Sequence, residues 1–333
     1  MIIDFNSLPD ENLLIGSLVN KAAQLYASYG DCNARCNHPS GSCNENFCRK
    51  SYCQNCSVND AFGGRDNCRG CCLECSEEVH YGQSWRSAAF RSEYNCQKLI
   101  YYYTCRYSWK YCSEIMYALE SVDLNKYGFY SVLSLGCGQS PDLMAIEQEN
   151  RFDGKSISYV GYDINPYWKS IQDEIHTYCR GSANINCHYE TADAIESIYN
   201  SQGGFANVIV MSYLLSSFHD SERRSNATQL FDLIIGKVLA YKGREPVLII
   251  VNDIDHNTKA RNYFDTLIRK IQKAGYHSNV LKKHFSDRNG RDYGDNSIQY
   301  ASSANKFMIP DNIGNDFNCA IQCTSAQCII EVD

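Results

Sequence analysis

The chain has no stretch of eighteen apolar residues, so nothing in it has the length of a membrane-spanning helix. Its first residues, MIIDFNSLPDENLL, lack a basic region followed by a long apolar run. That sets aside a secretory leader and leads us to expect a reducing, cytoplasmic setting with no membrane partner. Nor is there a surplus of basic charge: Lys plus Arg number 31 against 38 Asp plus Glu, a formal net charge of −7. A protein that coats nucleic acid through its overall charge is excluded, although local basic patches are not. Residues 31–82 have little apolar periodicity and much Cys, Asn, Gly and Ser. Such a segment cannot build an apolar core, so something else must order it.

Cysteine is what the chain has in excess, with 19 residues. Cys32, Cys36, Cys43, Cys48, Cys53, Cys56, Cys68, Cys71, Cys72 and Cys75 fall within that one segment. In a reducing compartment dense cysteine favours metal over disulfides. The pairs Cys53/Cys56, Cys68/Cys71 and Cys72/Cys75 have C-x2-C spacing, which lets two thiolates hold one ion from a tight knuckle. We therefore expect two or more zinc ions. Cys53 and Cys56 with a later pair would make one site, and Cys32, Cys36, Cys43 and Cys48 a second, with His38 or His80 as substitutes. An iron–sulfur cluster is the alternative. Cys96, Cys105 and Cys112 sit in a helical pattern and read as packed thiols; Cys319, Cys323 and Cys328 lack an obvious fourth partner.

The rest of the chain reads as α/β. A helix is expected over 10–29, with Leu14, Leu18, Ala22 and Leu25 on one face, and a long helix free of Gly and Pro over 83–121. From 131 onward strands and helices alternate, as in a parallel sheet. Strands are expected at 131–135, 158–162, 186–190, 206–211, 246–252, 277–284 and 326–332, and helices at about 141–149, 166–180, 221–241 and 258–274. Residues 285–325 read as a polar insertion. The expected domains are an N-terminal helix to 30, a cysteine-rich module at 31–82, an aromatic-rich helix at 83–126 and an α/β domain at 127–333.

Within that domain, residues 131–166 carry a nucleotide-binding pattern. An apolar strand breaks into Gly136-Cys137-Gly138, a helix follows, and a second strand ends at Asp163. Glycines let the backbone pass close under a ligand, and a carboxylate at the next strand end can accept both hydroxyl protons of a ribose. Gln139, Ser140 and Pro141 follow the second glycine, so the dinucleotide pattern G-x-G-x-x-G is not completed.

This segment resembles motif I of class I S-adenosylmethionine-dependent methyltransferases, and YVGYDINP (159–166) resembles their motif II. The resemblance implies a doubly wound, mainly parallel seven-stranded sheet with a small cysteine-rich metal-binding module at its N-terminus. It implies S-adenosylmethionine as cofactor, with Gly136, Cys137, Gly138 and Gln139 beneath its methionine part. Asp163, Ile164 and Asn165 would then meet the ribose. ETADAIES (190–197) looks like motif III, with Asp193 at the adenine amino group and Ala194 beside the ring; otherwise Asp193 is a helix cap. Ser212 and Tyr213 end the fourth strand on the same rim. SYLLS (212–216) is weakly similar to the small-ribosomal-subunit methyltransferase-like family.

The D/N-P-P-Y motif of base-amine methyltransferases and a Pro-Cys nucleophile are both missing, and no general base stands out. Tyr213, His219 and Asp220 are candidates, as are Asp253 and Asp255, each of which also reads as a cap or loop residue. Methyl transfer can proceed by positioning alone when the nucleophile is strong. Arg86, Arg91, Lys98, Arg106 and Lys110 lie among tyrosines on the long helix. They could meet RNA, or the aromatics could pack inward and leave the charges in water. The expectation is methyl transfer to a macromolecule, RNA ahead of protein. The alternatives are a non-catalytic methyltransferase-fold subunit and a small-molecule methyltransferase.

Overall fold

The computed structural model describes residues 13–29, 97–220, 224–285 and 296–333. The ten clustered cysteines, Cys96, and the part of the long helix before Gln97 lie outside the described residues. Two compact units emerge. The first takes in the chain to Trp109, Asn165–Glu174 and Met308–Ala320; the second takes Lys110–Ile164, Ile175–Phe307 and Ile321–Asp333.

In the first unit, α1 (Leu14–Ser28) buries Leu14, Leu18, Ala22 and Tyr26 at four-residue steps. Leu25, expected on that face, is only partly buried, and Tyr26 takes its place. Its ring meets Phe317 edge-on at 5.2 Å between centroids and Tyr102 at 6.0 Å. Tyr102 lies on α2 (Gln97–Leu119), whose aromatics from Tyr101 to Tyr117 are buried. Cys105 here, and Cys112 on the part of α2 that belongs to the second unit, are free and buried, as packed thiols.

The second unit is built on one eight-stranded sheet. Its strands are β1 (Tyr130–Leu135), β2 (Ile157–Asp163), β3 (Ile185–Thr191), β4 (Val208–Ser212), β5 (Val247–Ile254), β6 (Ser278–His284), β7 (Ile298–Gln299) and β8 (Ser325–Val332). They lie in the order β3-β2-β1-β4-β5-β8-β6-β7. β1 to β5 run parallel, and β8 is antiparallel to both β5 and β6. The expected count of seven strands becomes eight because two residues of the 285–325 segment pair with β6 as β7. So short a strand has no periodicity to read.

Position in the sheet explains the strand sequences. β4 and β5 are nearly continuous apolar runs because neighbours cover both faces and both edges. β3, at the edge, alternates buried Ile185 and Cys187 with exposed Asn186 and His188. The helices of this unit include α3 (Pro141–Asn150), α5 (Ala194–Asn200), α6 (Leu215–Asp220), α7 (Arg224–Lys237) and α8 (Asn262–Lys273); α4 (Lys169–Arg180) crosses from the first unit, and α9 (Asp311–Phe317) belongs to the first. Ile195 of α5, Phe231 of α7 and Phe264 of α8 pack with Ile209, Ile249 and Ile330 of the sheet in one apolar core. Among the described residues no helix is long and apolar enough to cross a membrane.

Candidate functional site

β1 pairs with β2 on one side and with β4 on the other, so the strand order reverses direction beside it. In an open parallel sheet the crevice beyond the carboxyl ends at such a point is where ligands bind. The turn leaving β1 falls there. Gly136 has φ +69°, and its N–H donates to Tyr162 O across 2.9 Å, as does that of Cys137 across 3.0 Å. A Cβ at Gly136 would sit 3.1 Å from Leu214 Cδ1, in a conformation that side chains rarely adopt. Gly138 has φ +48°, and its N–H donates to Asp163 Oδ2 across 2.8 Å. Ser140, at φ +60°, donates its N–H to Cys137 O across 2.7 Å and its hydroxyl to Tyr189 across 3.0 Å. Pro141 then opens α3, where a missing N–H costs nothing.

The expected cofactor residues separate under this geometry. Gly136, Gly138, Gln139 and Asp163 share the turn and the adjoining end of β2. Cys137 turns inward: it is buried, and a Cβ on Gly161 would come within 2.8 Å of its Sγ. Burial pushes its thiol well above the ordinary range. Ile164 stands 61% exposed immediately after Asp163, an apolar group at the rim. Asn165 belongs to the first unit, where its Oδ1 accepts from Tyr167 N–H and caps the turn Pro166–Trp168. Asp193 caps α5, its Oδ1 accepting from Ile195 N–H at 2.8 Å and Glu196 N–H at 3.3 Å, and Ala194 is the first residue of that helix.

The candidate catalytic residues also sort themselves. Asp253 is buried and caps α6, its Oδ2 accepting from Leu215 and Ser216 N–H. Burial raises its carboxyl to about 6. Asp255 pairs with Arg261 at 2.5 Å, both buried. His219 lies on α6, half-buried, and the side chain of Asp220 lies outside what the structure describes.

Tyr213 is different. It follows β4 at φ +55°, and its N–H donates to Asn252 O of β5 across 2.7 Å. Its Oη donates to Glu114 Oε2 at 2.9 Å and accepts from Lys110 Nζ at 2.7 Å. The Lys110 ammonium also lies 3.2 Å from Glu114 Oε1 and 5.0 Å from the centre of the Tyr213 ring. The Tyr111 ring is 4.6 Å from that of Tyr213. Glu114 is wholly buried, and its other partners complete the shell: Thr324 N–H at 2.9 Å, Ser325 N–H at 3.3 Å and Asn252 Nδ2 at 3.1 Å. Asn252 also donates to Ser212 Oγ at 3.3 Å, which ties in the last residue of β4. A charged pair can be buried when hydrogen bonds offset its lost hydration in this way. The result is a phenol held rigidly at the end of β4, bonded at once to an ammonium and a carboxylate.

Glu114 and Asn252 were not expected from the sequence, and Lys110 only as a charge that could meet RNA. The one signal for Lys110 and Glu114 as a pair is their four-residue spacing on a helix, which usually marks a solvated surface pair.

The basic groups of α2 are mostly enclosed. Lys98 and Lys110 are 5% and 7% exposed. Arg106 donates to Tyr102 Oη at 3.2 Å and lies over the Tyr107 ring at 5.3 Å. At the C-terminus, burial raises the thiols of Cys319 and Cys328 to about 12 and that of Cys323 further. Among the described residues no cluster of three or more His, Cys, Asp or Glu could hold a metal ion.

No protein-family model matches the chain, and no curated protein matches it. Among solved structures it is similar to a SAM-dependent methyltransferase from Archaeoglobus fulgidus, at 18% identity over 66% of this chain and 95% of that one, with a TM-score of 0.35. It is similar to the plantazolicin methyltransferase in complex with SAH, at 14% identity over 79% of this chain and 98% of that one, TM-score 0.40. A third is a structure described as a class I S-adenosylmethionine-dependent methyltransferase from Listeria monocytogenes, at 12% identity over 97% of this chain and 88% of that one, TM-score 0.45. All three are described as methyltransferases, and all three are distant likenesses.

Proposed function

We propose that the chain transfers a methyl group from S-adenosylmethionine to an acceptor at the carboxyl-end rim of its sheet. The observation that carries this reading is the Gly138–Asp163 contact at the switch point beside β1. It joins the glycine turn to an acidic strand end, the pairing that the motif resemblance requires. The residues fit the cofactor. The Asp163 carboxylate can accept from ribose hydroxyls, and Asp193 keeps Oδ2 for an adenine amino group while Oδ1 caps α5. Gln139 is a buried amide with neither polar atom paired, on the turn where the resemblance puts the methionine part. When bound, S-adenosylmethionine supplies an electrophilic methyl on a sulfonium. Tyr213 would then orient the acceptor, its phenol aligned by Lys110 and Glu114.

The acceptor class is a further proposal. A macromolecule, with RNA ahead of protein, is the reading taken from the sequence. The burial of Lys98 and Lys110 removes two of the charges that favoured RNA and gives weight to a small-molecule or peptide acceptor. Two or more zinc ions on the cysteines of residues 31–82 remain part of the proposal, on the strength of the C-x2-C pairs.

Calorimetry with S-adenosylhomocysteine tests the cofactor reading. The wild-type chain should bind it, and Asp163→Ala should weaken binding by about tenfold or more, since hydrogen bonds to a charged group are each worth roughly 1.5–3 kcal/mol. Equal affinity for the two proteins removes Asp163 from the site.

A further inference from the structure

Cys179, in the last turn of α4, and Cys187, in the middle of β3, are both buried and free. Their thiols hydrogen-bond to each other. Cys105, Cys319 and Cys323 instead donate to the carbonyl oxygens of Val19, Cys105 and Lys110. A thiol bonded to a carbonyl is a packed group, whereas two thiols in contact can also join.

The fold holds this pair together. Gly181 N–H donates to Tyr178 O at 3.0 Å and Ser182 N–H to Cys179 O at 2.9 Å, which closes the end of the helix. Asn184 accepts from Ser182 Oγ at 2.7 Å and donates to Lys155 O at 3.2 Å, just before β3 begins. Tyr178 Oη donates to Glu147 Oε1 at 2.9 Å and so anchors the last turn of α4 to α3. β3 is the outermost strand, so the pair lies at the edge of the sheet. The hydrogen bond from Cys179 draws the Cys187 thiol below its ordinary value, against the effect of burial, and pushes that of Cys179 up. Cys187 is thus the better thiolate, and Cys179 keeps the proton.

We propose that Cys179 and Cys187 are a peroxide-oxidised thiol pair that forms a reversible disulfide between α4 and β3. The Cys187 sulfur bonds one peroxide oxygen, the O–O bond breaks, and the other oxygen leaves as water with a proton. The Cys179 sulfur then attacks the Cys187 sulfenic acid, the S–O bond breaks, and a second water departs. The two thiols lose two electrons and two protons, and hydrogen peroxide becomes two waters. An oxidant of this size enters as the edge strand and the helix end fray. In a reducing setting the pair rests as thiols, and the disulfide staples the sheet edge to α4 only during oxidation. The proposal is independent of the cofactor reading.

Trypsin gives the test a clean readout, because the peptides 170–180 and 181–223 each contain one cysteine. The full chain is reduced, freed of reductant and treated with excess hydrogen peroxide without denaturant. Remaining thiols are alkylated at once, and the digest is read by mass spectrometry. The two peptides should appear joined, and dithiothreitol should separate them. Cys179→Ser, which lacks the second thiol, should instead carry a Cys187 sulfenic acid that dimedone captures. Cys187→Ser should leave Cys179 alkylated. Recovery of both wild-type peptides as alkylated thiols overturns the proposal, and so does either peptide joined to a different cysteine in place of this one.

Discussion

Tyr213 Oη donates to Glu114 Oε2 across 2.9 Å, although 99 residues separate the two in the chain. Lys110 Nζ donates to the same phenol, so the second half of α2 and the end of β4 are joined through one oxygen. Removing one member leaves the others buried without a partner. Glu114→Gln should cost about 3–5 kcal/mol of stability, because it strands the Lys110 ammonium. Tyr213→Phe should cost about 1–3 kcal/mol. Lys110→Met combined with Glu114→Gln should be less damaging than the sum of the single changes, since it removes the stranded charge. Urea unfolding of the wild type, the three single variants and the double variant gives these numbers, and additive losses would show that the contacts are not a network.

Stability should also depend on pH through buried carboxylates. Burial raises Asp142 from 3.8 to about 6, and the hydrogen bonds from Ser134 and Tyr159 only partly offset it. Asp253 is raised to about 6 in the same way. A carboxyl whose folded value lies above its unfolded value binds its proton more tightly when folded. Its stabilisation is complete below about pH 4 and is lost as pH rises through about 6. The melting temperature of the wild type should therefore fall between about pH 4.5 and 6.5 by more than that of Asp142→Asn, whose amide oxygen still accepts from Tyr159. Parallel curves would mean that Asp142 titrates normally.

Lys98 sits 5% exposed with its ammonium 4.8 Å from the centre of the Tyr26 ring. Lys98→Ala should then lower the melting temperature while leaving the salt dependence of any RNA binding unchanged. A phosphate contact would instead reduce the slope of log affinity against log salt by about one. Filter binding to a structured RNA across salt concentrations distinguishes the two.

Elemental analysis of the purified full chain should find at least two zinc ions. Iron with acid-labile sulfide, or a metal-free chain with disulfides intact by mass spectrometry, would replace zinc with the corresponding alternative.

Much of the sheet was legible because its strands are marked locally. Apolar runs in β4 and β5 and alternation in an edge strand such as β3 are local patterns, and β1 to β6 and β8 lie within one or two residues of their expected positions. The turn Gly136–Gly138 and the acid at Asp163 were legible for the same reason, since a tight backbone turn and a strand-end carboxylate each require particular residue types. Asp193 and Asp253 show the limit. An acid at a strand end or before a helix reads equally as a ligand or a cap, and only the structure shows Asp193 capping through Oδ1 at Ile195 N–H and Asp253 capping a helix 38 residues earlier at Leu215 N–H. α6 was missed because six residues carry too little periodicity to be seen, and its cap comes from another strand.

What the sequence determined by itself is the α/β alternation, the glycine turn with its acid, and the unusual cysteine content of residues 31–82. Each rests on chemistry carried by neighbouring residues. The tertiary structure alone decided that β8 lies reversed between β5 and β6, that Cys137 faces inward over Gly161, and that Lys110 and Glu114 are buried beside Tyr213. A Lys–Glu pair four residues apart looks the same in sequence whether water or protein surrounds it. Its meaning changes only when Asn252, Thr324 and Ser325, more than a hundred residues away, arrive to hydrogen-bond the carboxylate.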